Sequence, residues 1–424
     1  MSKKTGTGTK TIAFTLFFLI ALSANCFSQN NLEYYLKAAK DNNPSVKENF
    51  ALADKAGLEE KRIRAQYKGP QAYLTGDVFY PPMIGNKNDP GAIGYDVAIT
   101  DGGLYSLLMN VRQPVFTGYI NEAMIQKERL TGESNKEKAG YSLHQLEKDV
   151  TERYILAYQC LIRIEFADKL RLHLENQKQI LEKLAKQGIY KSTDVLLMDI
   201  QIQDQNTEIN NLKAVYLRNI ALLNDLCGIN TEAPPSLAAP GIKLNPEVNE
   251  SRFREKFRLD SLLEVSSLRV QNLKYKPQVN FYGNVGINAI ELPGIQRKAG
   301  MGIGLSLIVP IYDGHQKDLN ARESEINLKI IDNYRQDFFI RKSNRQKAVA
   351  ADLQLIEEKI AMINNKMRNY EKLIDLFSAQ LTSGETDIIN YMNIIKSYIS
   401  AKNDLTLSET NRLLIINESN YYNW

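Results

Sequence analysis

A strand-to-helix junction that occurs twice constrains the fold of this 424-residue chain more than any other feature. Residues 111–118 read VRQPVFTG, and residues 308–314 read IVPIYDG. An alternating apolar and polar run precedes each proline, and a long helical pattern follows each glycine. One such junction is a weak signal, but two in matched surroundings indicate an internal duplication.

The junction residues predict where each strand ends and each helix begins. Proline cannot donate a hydrogen bond to a strand ladder, so Pro114 and Pro310 suit the last, unpaired position of a strand. Gly118 and Gly314 suit a helix start. In the second copy, Asp313 and Gln316 predict a capping box, with the acid at the N-cap and the amide at the third helical position.

The spacing of glycines supports the duplication. Gly118 and Gly314 lie about 196 positions apart, and Gly188 and Gly384 have the same separation. The helical run between the junction and the second glycine therefore spans roughly 70 residues in both copies, or ~105 Å at 1.5 Å per residue. Gly188 and Gly384 interrupt the helical pattern, which predicts that each long helix turns back there as a hairpin.

The duplication and the composition shifts predict four segments. Residues 1–28 are a signal peptide. Residues 29–228 form a first repeat of helix, strand pair, long helix and returning helix. Residues 229–250 are a linker rich in proline and glycine, and residues 251–424 form a second repeat.

The signal peptide is predicted from three lysines followed by the apolar run Thr11–Leu22, with cleavage near Ser28. Cys26 resembles a lipidation site, but Asn25 is a poor residue before a modified cysteine, so we expect no lipid there. Removing the leader lowers the net charge from +4 to about +1, which gives no case for nucleic-acid binding. Outside the leader no run of ~18 apolar residues occurs, so no transmembrane helix is expected.

Four short runs alternate as strands do, each about ten residues long, which is the length of a tilted membrane strand. The first pair precedes Pro114 and the second pair precedes Pro310. The first strand of each pair is offset by about 207 positions, as Gly76 and Gly283 show. This offset exceeds 196 because the first copy has a longer loop between its two strands. An ordinary half-buried antiparallel sheet would alternate in the same way. As membrane strands, the residues expected to face lipid are Phe281, Val285, Ile303, Leu305 and Leu307, and those expected to face the lumen are Asn280, Asn284, Asn288, Ser306, Asn110 and Arg112.

The long helix after Gly118 carries two apolar stripes about a third of a turn apart. A two-stranded coiled coil needs one such seam. A helix in the wall of a closed tube has a neighbour on each side and needs two. Together with the strand pairs, this pattern predicts an α+β architecture of long antiparallel helical hairpins and four strands per chain.

The resemblance to a known family rests on motifs in a fixed order. Residues 188–195 read GIYKSTDV, residues 384–391 read GETDIINY, and residues 223–228 read LNDLCG. With the two junctions, these motifs resemble those of the TolC family of outer-membrane efflux channels over essentially the whole mature chain. Each motif is loose alone, and their order and spacing together are specific.

The resemblance implies a homotrimer in the outer membrane with a periplasmic extension. Each chain would give four strands to a twelve-stranded transmembrane β-barrel and its helices to a periplasmic α-barrel. The implied partners are a periplasmic adaptor, an inner-membrane pump of the RND, ABC or MFS type, and outer-membrane lipid; no cofactor is implied. The implied function is the exit duct of a tripartite efflux or type I secretion system.

The resemblance also points to a gate, and there this sequence departs from the family. Family members often carry acidic residues just past the second hairpin turn, where they narrow the periplasmic mouth. The matching positions here are Asn390 and Asn393. Glu385 and Asp387 lie nearby, and Asp194 follows the first turn, so the five residues are the candidates for the constriction.

One other class of function is open to a chain of this kind. Long amphipathic hairpins alone would also fit a soluble periplasmic coiled-coil scaffold or adaptor. An enzyme is not expected, because His144, His173 and His315 lack metal-ligand spacing and no nucleophile motif occurs. Cys160 and Cys227 are expected to be packing residues too far apart for a disulfide. The sequence does not indicate the substrate or the pump class.

Overall fold

The computed structural model describes residues 31–80, 103–230, 236–246 and 252–424. The signal peptide with Cys26, the long loop between the first two strands and parts of the linker lie outside the described residues. The helices are α1 (Leu32–Asn42), α2 (Pro44–Lys68), α3 (Gly118–Lys186), α4 (Ser192–Cys227), α5 (Phe253–Asn272), α6 (Gln316–Ser383) and α7 (Ile388–Tyr422). The strands are β1 (Gln71–Phe79), β2 (Leu104–Val115), β3 (Gln278–Ala289) and β4 (Ala299–Ile308), with 3-10 turns at Leu273–Tyr275 and Ile295–Arg297.

The two long helices have the lengths that the duplication predicts. Helix α3 has 69 residues and α6 has 68. The helical segment before β1 is split at Pro44 into α1 and α2. Proline fits the first turn of α2 because its missing N–H has no helical partner there, and Asn43 before it is extended, with ψ of 123°.

The four strands form one antiparallel sheet in the order β1-β2-β3-β4. Gln71 is opposite Arg112, Asn110 is opposite Asn284, and Phe281 is opposite Leu305. The central pair β2 and β3 joins the two predicted repeats. Among the described strands, β1 and β4 are therefore the two edges.

The chain divides into two compact units, each assembled from both predicted repeats. One unit contains the sheet and comprises residues 45–142 and 249–341. Its helices pack through aromatic rings. The ring of Phe253 lies 4.5 Å from that of Phe338 and 5.8 Å from that of Tyr141, measured between ring centroids.

The other unit contains both hairpin turns, and its described residues lie within 1–44, 143–248 and 342–424. In it the described part of the linker packs on the C-terminal helix through side-chain amides. The N–H of Asn245 donates to Asn420 Oδ1 at 2.7 Å, and Asn420 Nδ2 donates to the Lys243 carbonyl at 2.7 Å. Tyr154 donates its hydroxyl to the Ala238 carbonyl at 2.6 Å, which holds the same segment against α3.

Both cysteines of the described chain are free and buried. Burial raises the pKa of the Cys227 thiol to about 12. A thiol that does not ionise near neutral pH is a poor nucleophile. The packing role expected for these residues agrees with this environment.

The junctions differ from the sequence prediction in two details. Pro114 is not at the unpaired end of its strand; it lies opposite Asn280, and Val115 follows it in β2. On its other side β1 begins opposite Arg112, so β1 has no residue opposite Pro114. The missing N–H is tolerated because β2 extends past the end of one neighbour.

The predicted start of the second long helix was also wrong. Helix α6 begins at Gln316, and Gly314 and His315 before it have φ values of 66° and 65°. Asp313 accepts the N–H of His315 at 2.9 Å and that of Lys317 at 2.8 Å. The carboxylate therefore caps the helix start from a left-handed turn, and the predicted capping box with Gln316 does not form. At the first junction the helix start agrees with prediction, since α3 begins at Gly118.

Candidate functional site

Two hairpin turns connect the long helices to the helices that return from them. Gly188 and Gly384 both adopt a left-handed backbone with φ of 78°. In the first turn the N–H of Ile189 donates to the Leu184 carbonyl at 3.0 Å, and the corresponding bond closes the second turn at 2.9 Å. This pattern is a Schellman motif, which ends a helix and favours glycine at the left-handed position. Each long helix ends one or two residues before the glycine at which the sequence predicts a turn.

An apolar cluster lies directly behind the two turns, and we call it the tip cluster. It is built from both hairpins, and several of its side chains are fully buried. Its buried members are Leu170, Leu174, Leu181, Met198, Ile202, Ile374, Leu381, Ile388, Tyr391, Met392 and Ile395. Burial of so many large side chains stabilises the hairpins against each other, because each contributes about 1.5–3 kcal/mol of transfer free energy.

Tyr190 ties the first turn to the second. Its phenolic oxygen lies 2.9 Å from the Leu381 carbonyl oxygen and 2.8 Å from that of Thr386. These carbonyls stand on either side of the second turn, at the end of α6 and before the start of α7. The single hydroxyl hydrogen is shared between the two carbonyls, and that of Leu381 lies in the last turn of α6, where carbonyls lack the usual donor four residues on.

A buried polar pair lies within the tip cluster. His173 Nε2 is 2.8 Å from the hydroxyl of the fully buried Tyr391. Burial lowers the pKa of His173, although the carboxylate of Asp375 acts in the opposite direction. Burial also raises the pKa of Tyr391 to about 12. Both groups are therefore neutral at physiological pH, and the hydrogen bond joins α3 to α7.

Two of the acidic gate candidates, Asp387 and Asp194, accept main-chain N–H groups at helix starts. Asp387 Oδ1 accepts the N–H of Asn390 at 2.8 Å, which makes Asp387 the N-cap of α7. The Asn390 side-chain amide donates back to Asp387 Oδ2 at 3.3 Å. In the first hairpin, Asp194 Oδ2 accepts the N–H of Lys191 at 2.9 Å. Anionic side chains are favourable at a helix N-terminus, so both carboxylates have a structural role there.

The structure brings the five gate candidates to the two neighbouring turns. Glu385, Asp387, Asn390 and Asn393 are exposed, and Asp194 is half-buried. Asn390 and Asn393 follow Asp387 on the side of α7 that is not in the tip cluster. Their exposure leaves them free to face a pore, and their assignment to a constriction stays a prediction.

The sheet has one apolar and one polar face, as the alternation predicts. In β4, Ile303 is 80% exposed and Leu305 is 71% exposed. The apolar row continues across the sheet, because Phe281 is opposite Leu305 and Val285 is opposite Met301. Lipid contact for this row is a prediction that the single chain does not test.

The polar face is connected across strands by side-chain hydrogen bonds. Asn110 Nδ2 donates to Thr75 Oγ1 at 2.9 Å, and Ser106 Oγ donates to Asp77 Oδ2 at 3.1 Å. In the centre of the sheet, Arg112 Nε donates to the buried Asn280 Oδ1 at 3.2 Å. The remaining lumen candidates also lie on this face, since Asn284 is opposite Asn110 and Asn288 is opposite Ser106.

Within the described ranges no group of three or more metal-ligating side chains is found. A search of the described helices for one long and apolar enough to cross a membrane finds none.

Comparison with known proteins gives matches at the level of structure alone. No protein-family model matches the sequence. A search of curated proteins also finds no match.

Solved structures match along nearly the whole length. The outer membrane protein VceC of Vibrio cholerae is 12% identical with a TM-score of 0.72, and the match covers 92% of this chain and 96% of that one. CusC is 12% identical with a TM-score of 0.74, covering 93% and 92%. The CmeC outer membrane channel of Campylobacter jejuni is 11% identical with a TM-score of 0.75, covering 94% and 86%. The chain has the TolC fold.

The predicted resemblance to the TolC family is thus confirmed in the fold. At 11–13% identity these matches describe architecture, and residue roles rest on this chain's own geometry. The mostly helical chain with a single four-stranded antiparallel sheet agrees with the predicted α+β fold class.

Two features of this TolC fold were missed by sequence reasoning. Tyr190 gave no signal, because its acceptors are main-chain carbonyls about 190 positions away in the sequence. The glycines of β4 were the second, because they make room for side chains of β3. A Cβ atom at Gly304 would lie 2.5 Å from the ring of Tyr282, which could have been suspected from an aromatic residue opposite glycine.

Proposed function

We propose that this protein is the outer-membrane exit duct of a tripartite efflux or type I secretion system. Three copies assemble, and each contributes four strands to a twelve-stranded transmembrane barrel and its long hairpins to a tube in the periplasm. The chain is an internal duplication whose repeats follow the predicted bounds, 29–228 and 251–424. Residues 1–28 are the cleaved leader.

The observation that carries this proposal is the match of fold to outer membrane proteins over more than nine tenths of this chain. The two-faced sheet supports it. Four strands with free edges cannot enter a bilayer alone, because unpaired main-chain groups are too costly in lipid. Three copies give a number of strands that closes a barrel with a lumen.

The proposed partners are those that the family resemblance implies. A periplasmic adaptor and an inner-membrane pump of the RND, ABC or MFS type deliver substrate to the end of the tube that carries the hairpin turns. No cofactor or nucleic acid takes part. The residues at the turns, Asn390 and Asn393 with Glu385, Asp387 and Asp194, form the gate that this assembly opens.

A soluble periplasmic scaffold is the alternative from another class. The exposed apolar row of the sheet favours the channel. Met301, Ile303 and Leu305 are each more than two-thirds exposed in the single chain and lie side by side along one strand. Soluble proteins rarely leave a contiguous apolar patch of this kind uncovered, whereas lipid covers it in a membrane.

The test is a conductance measurement on the full-length protein purified from the membrane fraction. Reconstituted into planar bilayers, it is expected to give discrete conductance steps, and cell fractionation is expected to place it in the outer membrane. Recovery in the soluble periplasmic fraction, together with bilayers that show no steps, would support the scaffold and contradict the channel.

A further inference from the structure

The two edge strands of the sheet carry unused pairing capacity. Among the described strands, β1 pairs only with β2, and β4 pairs only with β3. Each edge therefore presents main-chain N–H and C=O groups without a strand partner. The proposed trimer requires a second copy of this chain at these edges, and the structure indicates which residues would meet.

The strand pairs of the two repeats have the same register. A shift of 207 positions carries Gln71 of β1 to Gln278 of β3, and a shift of 196 positions carries Arg112 of β2 to Ile308 of β4. Gln71 is opposite Arg112, and Gln278 is opposite Ile308. The pairing in one repeat thus reproduces the pairing in the other, with the offsets that the glycine spacing gives.

The pairing between the repeats inside one chain supplies a template for the pairing between copies. Strand β2 leads from the first repeat to β3 of the second, with Asn110 opposite Asn284 and Met109 opposite Val285. The shift of 196 positions carries β2 onto β4, and the reverse of the 207-position shift carries β3 onto β1. Applied to Asn110 and Asn284, the two shifts give Ser306 and Asp77.

We propose that β4 of one copy pairs antiparallel with β1 of the next copy, with Ser306 opposite Asp77 and Leu305 opposite Val78. This inference rests on the proposed trimeric channel and adds its register. A carboxylate of one copy then lies opposite a serine hydroxyl of the next, as Asp77 already does within the chain, where it accepts from Ser106 at 3.1 Å.

The faces of the sheet agree with this register. Leu305 and Val78 both belong to the apolar face, and Ser306 and Asp77 both belong to the polar face. A slip of one residue would place apolar side chains on the polar face, so it is excluded. A slip of two residues would keep the faces, and the duplication is what selects among these registers.

An exposed segment after β4 gives an independent reason for a missing neighbour. β4 ends at Ile308, opposite the first residue of β3. The corresponding strand β2 continues for three residues beyond Arg112, because its residues up to Val115 pair with β3. In the second repeat those three positions are 309–311, and Ile311 is 96% exposed.

The partner strand would cover this segment. In the proposed register, residues 309–311 lie opposite residues 72–74 of the next copy, so Ile311 faces Ala72 and Val309 faces Leu74. Pro310 would sit opposite Tyr73, as Pro114 already sits opposite Asn280 inside the chain. We therefore expect β4 to lengthen through Ile311 in the assembled protein.

Cysteine crosslinking of the full-length protein in detergent tests the register. The two test variants are Ser306→Cys with Asp77→Cys, and Leu305→Cys with Val78→Cys. Directly opposite residues lie about 4.5–5.5 Å apart, within disulfide reach, whereas residues displaced by two positions lie about 7–8 Å apart. Neighbouring residue pairs alternate between the hydrogen-bonded and the non-hydrogen-bonded spacing of an antiparallel ladder. At least one of the two test variants therefore has a geometry suitable for a disulfide.

Matched variants control for folding and for slipped registers. Ser106→Cys with Asp77→Cys has the same chemistry within one chain and is expected to oxidise without a change in apparent mass. Ser306→Cys combined with Thr75→Cys, or with Phe79→Cys, reports a slip of two residues in either direction. Cys160 and Cys227 are buried and stay in place, and each single-cysteine variant measures their contribution.

The expected result is a crosslinked trimer on non-reducing gels for the in-register pairs, with little product from the slipped pairs. Crosslinking by a slipped pair alone would overturn the register and leave the trimer intact. If only the intrachain control oxidises, β1 and β4 do not pair between copies and the inference fails. Light scattering of the same sample then shows whether the trimer, and with it the proposed function, fails too.

Discussion

Gly188 and Gly384 share a left-handed backbone, with φ of 78° at both, but their surroundings differ. A Cβ atom built on Gly188 meets nothing within 4 Å, whereas one built on Gly384 would lie 2.8 Å from Ile189 Cγ2. The second turn therefore lies directly against the first. Both turns have the same local geometry, and only at Gly384 does the other turn fill the space that a Cβ atom would need.

Alanine substitutions at the two glycines separate these effects. Gly188→Ala is expected to lose about 1–2 kcal/mol, because the left-handed conformation is unfavourable for a residue with a Cβ atom. Gly384→Ala is expected to lose more, because Ile189 must also move. Hydrogen exchange of amides in the tip cluster measures the difference, and an equal loss at both positions would mean that the turns do not touch.

The stability of the tip cluster is expected to depend on pH through His173. Its pKa is lowered by burial, so in the folded protein it stays neutral as pH falls below the ordinary value near 6.5, while the unfolded chain takes up a proton. The tip cluster is therefore fully stable above about pH 6.5, and its free energy of unfolding decreases as pH falls below that value.

The corresponding measurement compares hydrogen exchange of the tip amides at about pH 7.5 and about pH 5.5. His173→Gln keeps a donor for Tyr391 and is expected to show a smaller acid-induced loss of amide protection than wild type, once each rate is corrected for the intrinsic exchange rate at that pH. His315→Gln is the control, since His315 is exposed, and it is expected to behave as wild type. An equal pH response in wild type and His173→Gln would refute the assignment.

The faces of the sheet can be tested with one pair of neighbours. Leu305→Arg, on the apolar face, is expected to destabilise the folded protein in lipid by roughly 2–4 kcal/mol near the bilayer midplane. Ser306→Arg, on the polar face, is expected to cost much less because a water-filled lumen solvates the charge. Urea titration of the protein folded in vesicles gives both values, and a larger cost at Ser306 would reverse the assignment.

The gate is tested best at Asn393. Asn390 donates its amide to Asp387, so an aspartate there would also disturb the helix cap. Asn393→Asp adds one carboxylate per copy, and in the proposed trimer three would converge and attract cations. Single-channel recordings are expected to show higher cation selectivity and stronger block by multivalent cations.

Asn364→Asp makes the same change of charge at an exposed position of α6 and is expected to leave selectivity unchanged. If Asn393→Asp also leaves selectivity and block unchanged, that residue does not line the constriction. Glu385, Asp387 and Asp194 would then be the positions to test.

Local patterns predicted much of this fold. The glycines at 188 and 384 were informative because a left-handed helix end depends on the residue itself. The strand faces were informative because side chains alternate along any strand. Both signals lie in the sequence near the element they determine.

Contacts between distant parts of the chain could not be predicted in this way. Tyr190 bonds to carbonyls whose position depends on how two hairpins pack. The helix start after Asp313 was misplaced for a related reason. An aspartate can cap a helix in more than one register, and the left-handed turn at Gly314 and His315 selected the one that bonds to Lys317.

The central claim is that three copies of this chain form one channel, and native mass spectrometry of the full-length protein released from detergent tests it most directly. The expected result is a dominant species with three times the mass of the mature chain, in agreement with twelve strands in one barrel. A stable monomer under conditions that preserve the fold would contradict the account, because a four-stranded sheet with two open edges cannot seal a pore in lipid.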